Sequence, residues 1–387
     1  MNSKDNEAVI VAYGRSPLAR AFKGGFAQTH PAQYGGAVLK GVLAKVPQLN
    51  PADIEDVIVG CAVPEGHTGW NIARQIAQVA DLPDTVPAQT INRFCSSGLQ
   101  SISTAANAIE AGQMEIVIAG GVEMMTGMKM GHDEQFHDLD LAAAKAGTYM
   151  SMGVTAENVA VAYNITRAQM EQMAVESHQK AADAQATGKF DNEIIPVTIK
   201  TPEGTLTLTK DEGIRAGTTA EKLATLDPCF IKDGLVTAAT SSQMTDGASF
   251  VVMMTRAKAK ELGLAPIARY SAIAFAGVAA EIMGIGPIEA VPKALKKAGL
   301  TIADLDVIEL NEAFAAQALA CANELGLPTE KINPNGGAMA LGHPMGATGT
   351  VLTCKAISEM KRTNTKNALI TMCIGGGMGA AGVLVME

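Results

Sequence analysis

Nowhere in the 387 residues do cysteines form a Cys-x-x-Cys pair. Its absence removes the usual signals of a zinc site or a dithiol redox centre, and the six thinly spread cysteines (Cys61, Cys95, Cys229, Cys321, Cys354, Cys373) read as free thiols. Basic charge is also short: the formal net charge is −9, which argues against a general nucleic-acid binder but leaves room for local positive potential toward an anionic small substrate. Lysines and arginines recur between Lys189 and Lys232. No apolar run reaches the roughly 18 residues of a membrane helix. The N-terminal Met-Asn-Ser-Lys-Asp-Asn-Glu is too polar for a secretory signal, so the chain reads as a cytoplasmic protein without membrane insertion. Aromatics make up only 4 %, whereas glycine (39) and methionine (20) are abundant. Many glycines allow close backbone approaches, and methionines fill core gaps or line a slot for flexible chains.

Length fits two or three domains, and a 48 % hydrophobic content supports sizeable cores. Gly36–Leu43 followed by Ala52–Gly60 reads as a helix leading into a buried strand. The pattern returns about 250 residues later, in Ala290–Gly299 followed by Ala303–Asn311. Two further pairs keep about that offset: the Cys95 turn with the His343 turn, and Glu115–Gly121 with Asn367–Cys373. Matches in one order at one offset indicate a duplication. Each half then forms a helix-covered mixed sheet, and the two glycine-rich turns can meet where the halves join. The expected division is 1–120 plus 244–265 for the first half and 266–387 for the second, with an insert at 121–243. The insert carries amphipathic helices at Ala156–Tyr163 and Arg167–Ala184 and a strand-like or loop-like stretch at Lys200–Lys210, and reads as a lid or ligand-holding domain.

Chemistry-bearing residues sit in glycine-rich turns. In Asn92-Arg-Phe-Cys-Ser-Ser-Gly-Leu-Gln100, the apolar positions Leu99, Ile102, Ala105, Ala106 and Ile109 mark a helix starting near Ser96 or Ser97, which puts Cys95 at its N-terminus. There the helix dipole and free N–H groups favour a thiolate ready to take an acyl group. His343 stands in Gly342-His-Pro-Met-Gly346, where flanking glycines let an imidazole approach a substrate; it can take a thiol proton or stabilise a thioester oxyanion. Asn311 ends an apolar strand and either caps the following helix or orients a water or the imidazole at an oxyanion site. Cys373 lies in a second glycine run, Cys-Ile-Gly-Gly-Gly-Met-Gly379. Of the other histidines, His132 and His137 are weak metal suspects; His30, His67 and His178 receive no role.

Four motifs, Asn92–Gln100, Asn311-Glu-Ala-Phe-Ala315, Gly336-Gly-Ala-Met-Ala-Leu-Gly-His-Pro-Met-Gly346 and Cys373–Gly379, resemble the thiolase family over nearly the whole chain. The resemblance implies an α/β fold of two duplicated αβαβα halves forming a five-layered core, with an inserted loop domain. It implies reversible, CoA-dependent thiolytic cleavage of 3-ketoacyl-CoA through an acyl-Cys95 intermediate. Cys373 would protonate the departing acetyl-CoA enolate, or abstract the α-proton in reverse. His343 would activate Cys95 and, with a water held by Asn311, stabilise the enolate; backbone N–H groups of Cys95 and Gly375 would form a second oxyanion site. For coenzyme A it points to Ser242, Ala238 and Phe314, with Met152 and Met283 near the acyl pocket and Arg215 at the nucleotide end. Coenzyme A enters as a substrate, no metal or cofactor is implied, and a homo-oligomer, dimer or tetramer, is expected, with Val122–Leu141 in the assembly loop. Ser151 stands where some acetoacetyl-forming members carry histidine, which is more like the degradative branch. An acetoacetyl-CoA specialist is the near alternative. A synthase-type condensing enzyme fits less well because the second cysteine stands in the glycine run, and a noncatalytic acyl-CoA binder has no need of both cysteines and the histidine.

Overall fold

The structure is a computed structural model that describes residues 5–128, 137–201 and 204–387. Its strands are β1 (Ala8–Arg15), β2 (Ala19–Arg20), β3 (Asp56–Gly60), β4 (Ala88–Ile91), β5 (Ile116–Met124), β6 (Val197–Thr201), β7 (Gly204–Leu208), β8 (Thr245–Thr255), β9 (Ala268–Gly277), β10 (Val307–Leu310), β11 (Asn367–Ile374) and β12 (Met378–Met386). The helices are α1 (Pro31–Leu43), α2 (Ile72–Val79), α3 (Ser97–Glu110), α4 (Leu139–Ala144), α5 (Met152–Ala162), α6 (Arg167–Ala186), α7 (Ala220–Leu223), α8 (Arg256–Glu261), α9 (Gly286–Ala298), α10 (Ala315–Leu325), α11 (Ala338–Leu341) and α12 (Met345–Thr363).

Strand pairing repeats. In the first half β3 runs parallel to β4 and β5, β5 is antiparallel to β8, and β8 is antiparallel to β1. In the second, β10 runs parallel to β11, β11 is antiparallel to β12, and β12 is antiparallel to β9. Even the β3–β4 pair has its echo, in a parallel bridge between Ile308 and Ile332. The two sets touch at their edges through a single register pair, Ile10 with Ala268.

Side-chain alternation on these strands builds the layers, because successive residues face opposite sides of a sheet. Val57 and Val59 of β3 face α1 and α2, in a core with Tyr34, Leu39, Ile72 and Ile76. Ile58 faces the other way, into a central core where Leu99, Ile102 and Ile109 of α3 meet Leu352, Ile357 and Met360 of α12. Ile370 and Met372 of β11 close that core from the second sheet. Leu369 faces outward to α9 and α10, with Val291, Leu295, Ala318 and Cys321. The order is therefore helices, sheet, helices, sheet, helices, the five layers that the family resemblance implied.

β5 runs on to Met124, past the expected boundary at residue 120, because Val122–Met124 stay in register with Asp246–Ala248 of β8. Between β5 and β8, α5 and α6 pack on α10, sharing a core of Val159, Met170, Phe314 and Cys373. Of the stretch Lys200–Lys210, residues 200–201 end β6 and residues 204–208 form β7, an antiparallel pair. A buried ion network ties this segment to β1: Arg15 donates to Glu193 at 2.8 Å and to both oxygens of Asp211 at 2.8 and 3.0 Å. Removing one member would leave an uncompensated buried charge, which is strongly destabilising. Among the described residues no helix is long and apolar enough to cross a membrane.

Candidate active site

After β4 the chain turns through Asn92–Phe94, where Asn92 Oδ1 accepts from the Phe94 N–H at 2.7 Å and Phe94 adopts φ +43. A 3-10 turn at Phe94–Ser96 then runs into α3, so Cys95 does lie at a helix start. Its own backbone N–H and that of Gly375 face the sulfur. The expected thiolate does not follow. Burial leaves Cys95 8 % exposed and pushes its thiol up to about 11, outweighing the two N–H groups that act in the opposite sense. At rest the Cys95 thiol is neutral.

His343 is placed by its neighbours. Gly342 has φ +113, and a Cβ there would lie 2.2 Å from Thr245 Cγ2, so only glycine fits this turn. The His343 N–H donates to Gln243 O at 3.0 Å. Nδ1 lies 2.6 Å from Thr348 Oγ1, which itself donates to Pro344 O at 3.2 Å. With its proton committed there, the hydroxyl accepts from the ring, so Nδ1 carries the hydrogen and Nε2 offers a lone pair. Burial lowers the imidazole to about 4, so it stays neutral and able to accept a proton.

Asn311 is not a helix cap. The chain continues three residues before α10 starts at Ala315, and the Phe314 N–H there is met by Gln317 Oε1 at 3.4 Å. Instead the Asn311 N–H donates to Thr371 O at 2.9 Å, and its Nδ2 points at His343 Nε2 at 3.4 Å. Its Oδ1 is buried without a partner among the described residues. Such an orphan suits a ligand or a water.

Glycines bring the two turns together. A Cβ on Gly98 of α3 would lie 2.9 Å from Gly346 O, and one on Gly349 would lie 2.2 Å from the Leu99 nitrogen, so α3 and α12 cross almost backbone to backbone. The 3-10 turn with Cys95 therefore packs on both α12 and β11. β11 carries Cys373, fully buried opposite Gly379 and packed in a cluster with Met283, Phe314 and Met339. Burial holds that thiol well above its ordinary value, and the nearby Cys95 pushes it the same way. After it, Gly376 and Gly377 turn with φ +80 and +86, leaving Gly375 between Met152 and Phe94.

Of the remaining expected residues, Met152, Met283 and Phe314 adjoin this centre. The Ser242 N–H donates to Ala313 O at 2.9 Å, and Ser241 bridges to Phe314. Ala238 is exposed on a 3-10 turn. The Phe314 ring meets Phe230 edge-on at 5.8 Å, and Met152 and Met283 border the cluster that holds Cys373. Arg215 is exposed, and its N–H donates to His178 Nδ1 at 3.1 Å; among the described residues no hydrogen bond or ion pair ties its side chain to the Cys95 and His343 turns. His137 stacks on Tyr149 at 4.0 Å, and His132 lies outside the described residues. Among the described residues, no cluster of three or more potential metal-binding side chains occurs.

Two buried carboxylates passed over in sequence brace the site. Glu123 accepts from Ala62 N at 2.8 Å and Gly346 N at 2.7 Å. Glu312 accepts from Ser177 Oγ at 2.7 Å, Asn333 Nδ2 at 2.9 Å and Met339 N at 3.2 Å. Each carboxylate thus fixes a stretch of backbone beside His343.

Family models described as "Thiolase, N-terminal domain" and "Thiolase, C-terminal domain" match residues 8–257 and 264–386. The chain belongs to the thiolase family. It is 50 % identical over 386 residues to a 3-ketoacyl-CoA thiolase of Bacillus subtilis (strain 168), covering 97 % of this chain and 98 % of that protein. To the peroxisomal 3-ketoacyl-CoA thiolase 2 of Arabidopsis thaliana it is 43 % identical, over 98 % of this chain and 84 % of the other. The crystal structure of the Bacillus anthracis acetyl-CoA acetyltransferase superposes with a TM-score of 0.92 at 39 % identity, covering both chains fully.

Proposed function

We propose that the protein is an acetyl-CoA C-acyltransferase that cleaves 3-ketoacyl-CoA with coenzyme A, reversibly, through an acyl-Cys95 intermediate. The observation that carries this reading is the meeting, between two duplicated halves, of a buried thiol faced by two N–H donors, a buried imidazole held between Thr348 at Nδ1 and Asn311 at Nε2, and a second buried thiol.

In the forward direction Cys95 Sγ bonds to the β-keto carbon while its proton passes to His343 Nε2. The backbone N–H groups of Cys95 and Gly375 receive the oxygen charge that develops, which such donors stabilise most strongly in a water-poor site. The Cα–Cβ bond then breaks, leaving the shortened acyl group on Cys95 and an acetyl-CoA enolate. His343 with Asn311 stabilises that enolate, and Cys373 gives it a proton. A second coenzyme A then gives its thiol proton to the Cys373 thiolate and its sulfur attacks the acyl carbon; the Cys95–acyl bond breaks as the new thioester forms, Cys95 takes its proton back from His343, and acyl-CoA leaves. Two thiols are needed because an acylated sulfur cannot also move the second substrate's proton. Burial that keeps both neutral at rest confines charge to the reacting complex.

Ser242, Ala238 and Phe314 hold the pantetheine arm, Met152 and Met283 border the acyl group, and Arg215 serves the nucleotide end. Coenzyme A is a substrate, and the scheme calls for no resident metal or cofactor. The protein works in the cytoplasm as a homo-oligomer, a dimer or a tetramer. Trp70, 95 % exposed, gives that assembly an apolar anchor. Comparing CoA-dependent cleavage of four-carbon and longer 3-ketoacyl-CoA substrates tests the activity: turnover of the longer ones supports the broad reading. Turnover of acetoacetyl-CoA alone replaces it with the acetoacetyl specialist, and failure on all overturns both.

A further inference from the structure

Away from the catalytic turns lies a cleft of about 640 Å³, open to solvent, between β1, the turn after α1, the loop after α6 and the last turns of α12. Lys45, Lys189, Lys361 and Arg362 line it. We propose that this cleft is a binding site for a small di- or polyphosphate anion.

Two of the lysines are drawn together across one aromatic ring: Lys45 Nζ lies 5.2 Å and Lys361 Nζ 5.0 Å from the Tyr13 ring centre. The ring is itself anchored, with its hydroxyl 3.2 Å from Ser358 Oγ. Stems ordered in this way lose little rotamer freedom when an anion arrives. A plainer account is that the cations offset the negative C-terminal ends of α1, α6 and α12. Lys45 does serve such carbonyls, donating to Tyr13 O at 2.8 Å and Asn192 O at 3.1 Å. Lys189 and Lys361 make no such bond and pair with no carboxylate among the described residues. Nearby acids are engaged elsewhere: Glu359 with Arg362 and Asn335, Glu193 with Arg15. Asp191, on the loop after α6, forms no ion pair with the cluster among the described residues. Ammonium groups are point charges without a planar fork, which suits phosphate oxygens better than bidentate carboxylate recognition. The net charge of −9 disfavours a long polyanion such as nucleic acid, whereas a small anion feels mainly the local cluster.

Isothermal titration of the full chain with inorganic pyrophosphate tests the site. Wild type is expected to bind saturably, with affinity falling as salt rises. The Lys189→Gln/Lys361→Gln double variant should bind at least about tenfold more weakly, since two unpaired cations are removed, whereas Lys293→Gln, at an exposed lysine of α9 away from the cleft, should match wild type. As a second measurement on wild type alone, pyrophosphate should protect Lys189 and Lys361 from an amine-acylating reagent. No saturable binding, undiminished binding by the double variant, an equal loss in Lys293→Gln, or absence of protection would each overturn the proposal.

Discussion

At the scale of single residues, the site depends on which groups stay neutral. Cys95 and His343 are both held uncharged by burial, the thiol at about 11 and the imidazole at about 4. Proton transfer between them must therefore accompany attack on the substrate. Asn311 is the donor aimed at Nε2, and Asn311→Ala is expected to lower kcat by about 10²- to 10³-fold with acyl-Cys95 formation still detectable; an unchanged kcat would remove it from the mechanism. His178 offers a pH test. Burial first, then the nearby Arg215, lowers it from 6.5 to about 4. The unfolded chain thus takes a proton below about pH 6.5 that the folded chain refuses until about 4, so stability falls as pH drops through that window, by at most about 3 kcal/mol. His178→Asn keeps an acceptor for the Arg215 N–H but does not titrate. The melting temperature of wild type relative to this variant should fall between pH 7 and 5, and a pH-independent difference would refute the assignment. Cys95, His343 and Cys373 were legible because each stands in a short glycine-rich stretch whose local chemistry is visible in one dimension. Glu123 and Glu312 were not, because what makes them matter are bonds to Gly346 and Ser177, 223 and 135 residues away.

At the scale of elements, the crossing of α3 and α12 sets the distance between the nucleophile turn and the histidine turn. Gly346, whose carbonyl meets Gly98 at this crossing, has no room for a side chain: a Cβ there would lie 2.6 Å from the Cys61 Cα and 2.7 Å from Val122 O, all backbone, with no flexible side chain to yield. Gly346→Ala should cost about 1–3 kcal/mol of stability and most of the activity. Gly112→Ala is the control. Its φ of +72 is strained for alanine, but nothing lies within 4 Å of the new Cβ, so it should lose stability without losing kcat. Equal activity loss in both variants would mean that the crossing does not position the site. α3 was well read from its periodicity, with Leu99, Ile102, Ala105 and Ile109 buried; α5 and α6 are helices as expected but scarcely amphipathic, since their buried faces include Thr155, Glu157, Glu171, Ser177 and His178. What periodicity missed was at their ends. A polar residue after a strand looks like an N-cap from sequence alone, and only the three further residues of extended chain after Asn311 free its amide for His343.

At the scale of the molecule, duplication supplies the pocket. Each half repeats the same strand pairings, and the repeat was visible as a constant offset because β3 and β10, and β5 and β11, sit the same distance apart in the chain. The end of β5 was not, since glycine at 120 and 121 reads as a strand terminus although pairing with β8 continues to Met124. Light scattering behind size exclusion should give a mass of two or four 40.0 kDa chains, and a monomer would contradict the oligomer. The central claim is that two sulfurs from different halves divide the chemistry, one holding the acyl group and the other moving the proton. Cys373→Ser, incubated with acetyl-CoA and followed by peptide mass spectrometry and by α-proton exchange in deuterated water, tests it most directly. The expected result is an acetyl group on the Cys95 peptide, with exchange slowed by about 10²-fold or more; exchange at the wild-type rate, or an acetyl group missing from Cys95 in the wild type, would contradict it.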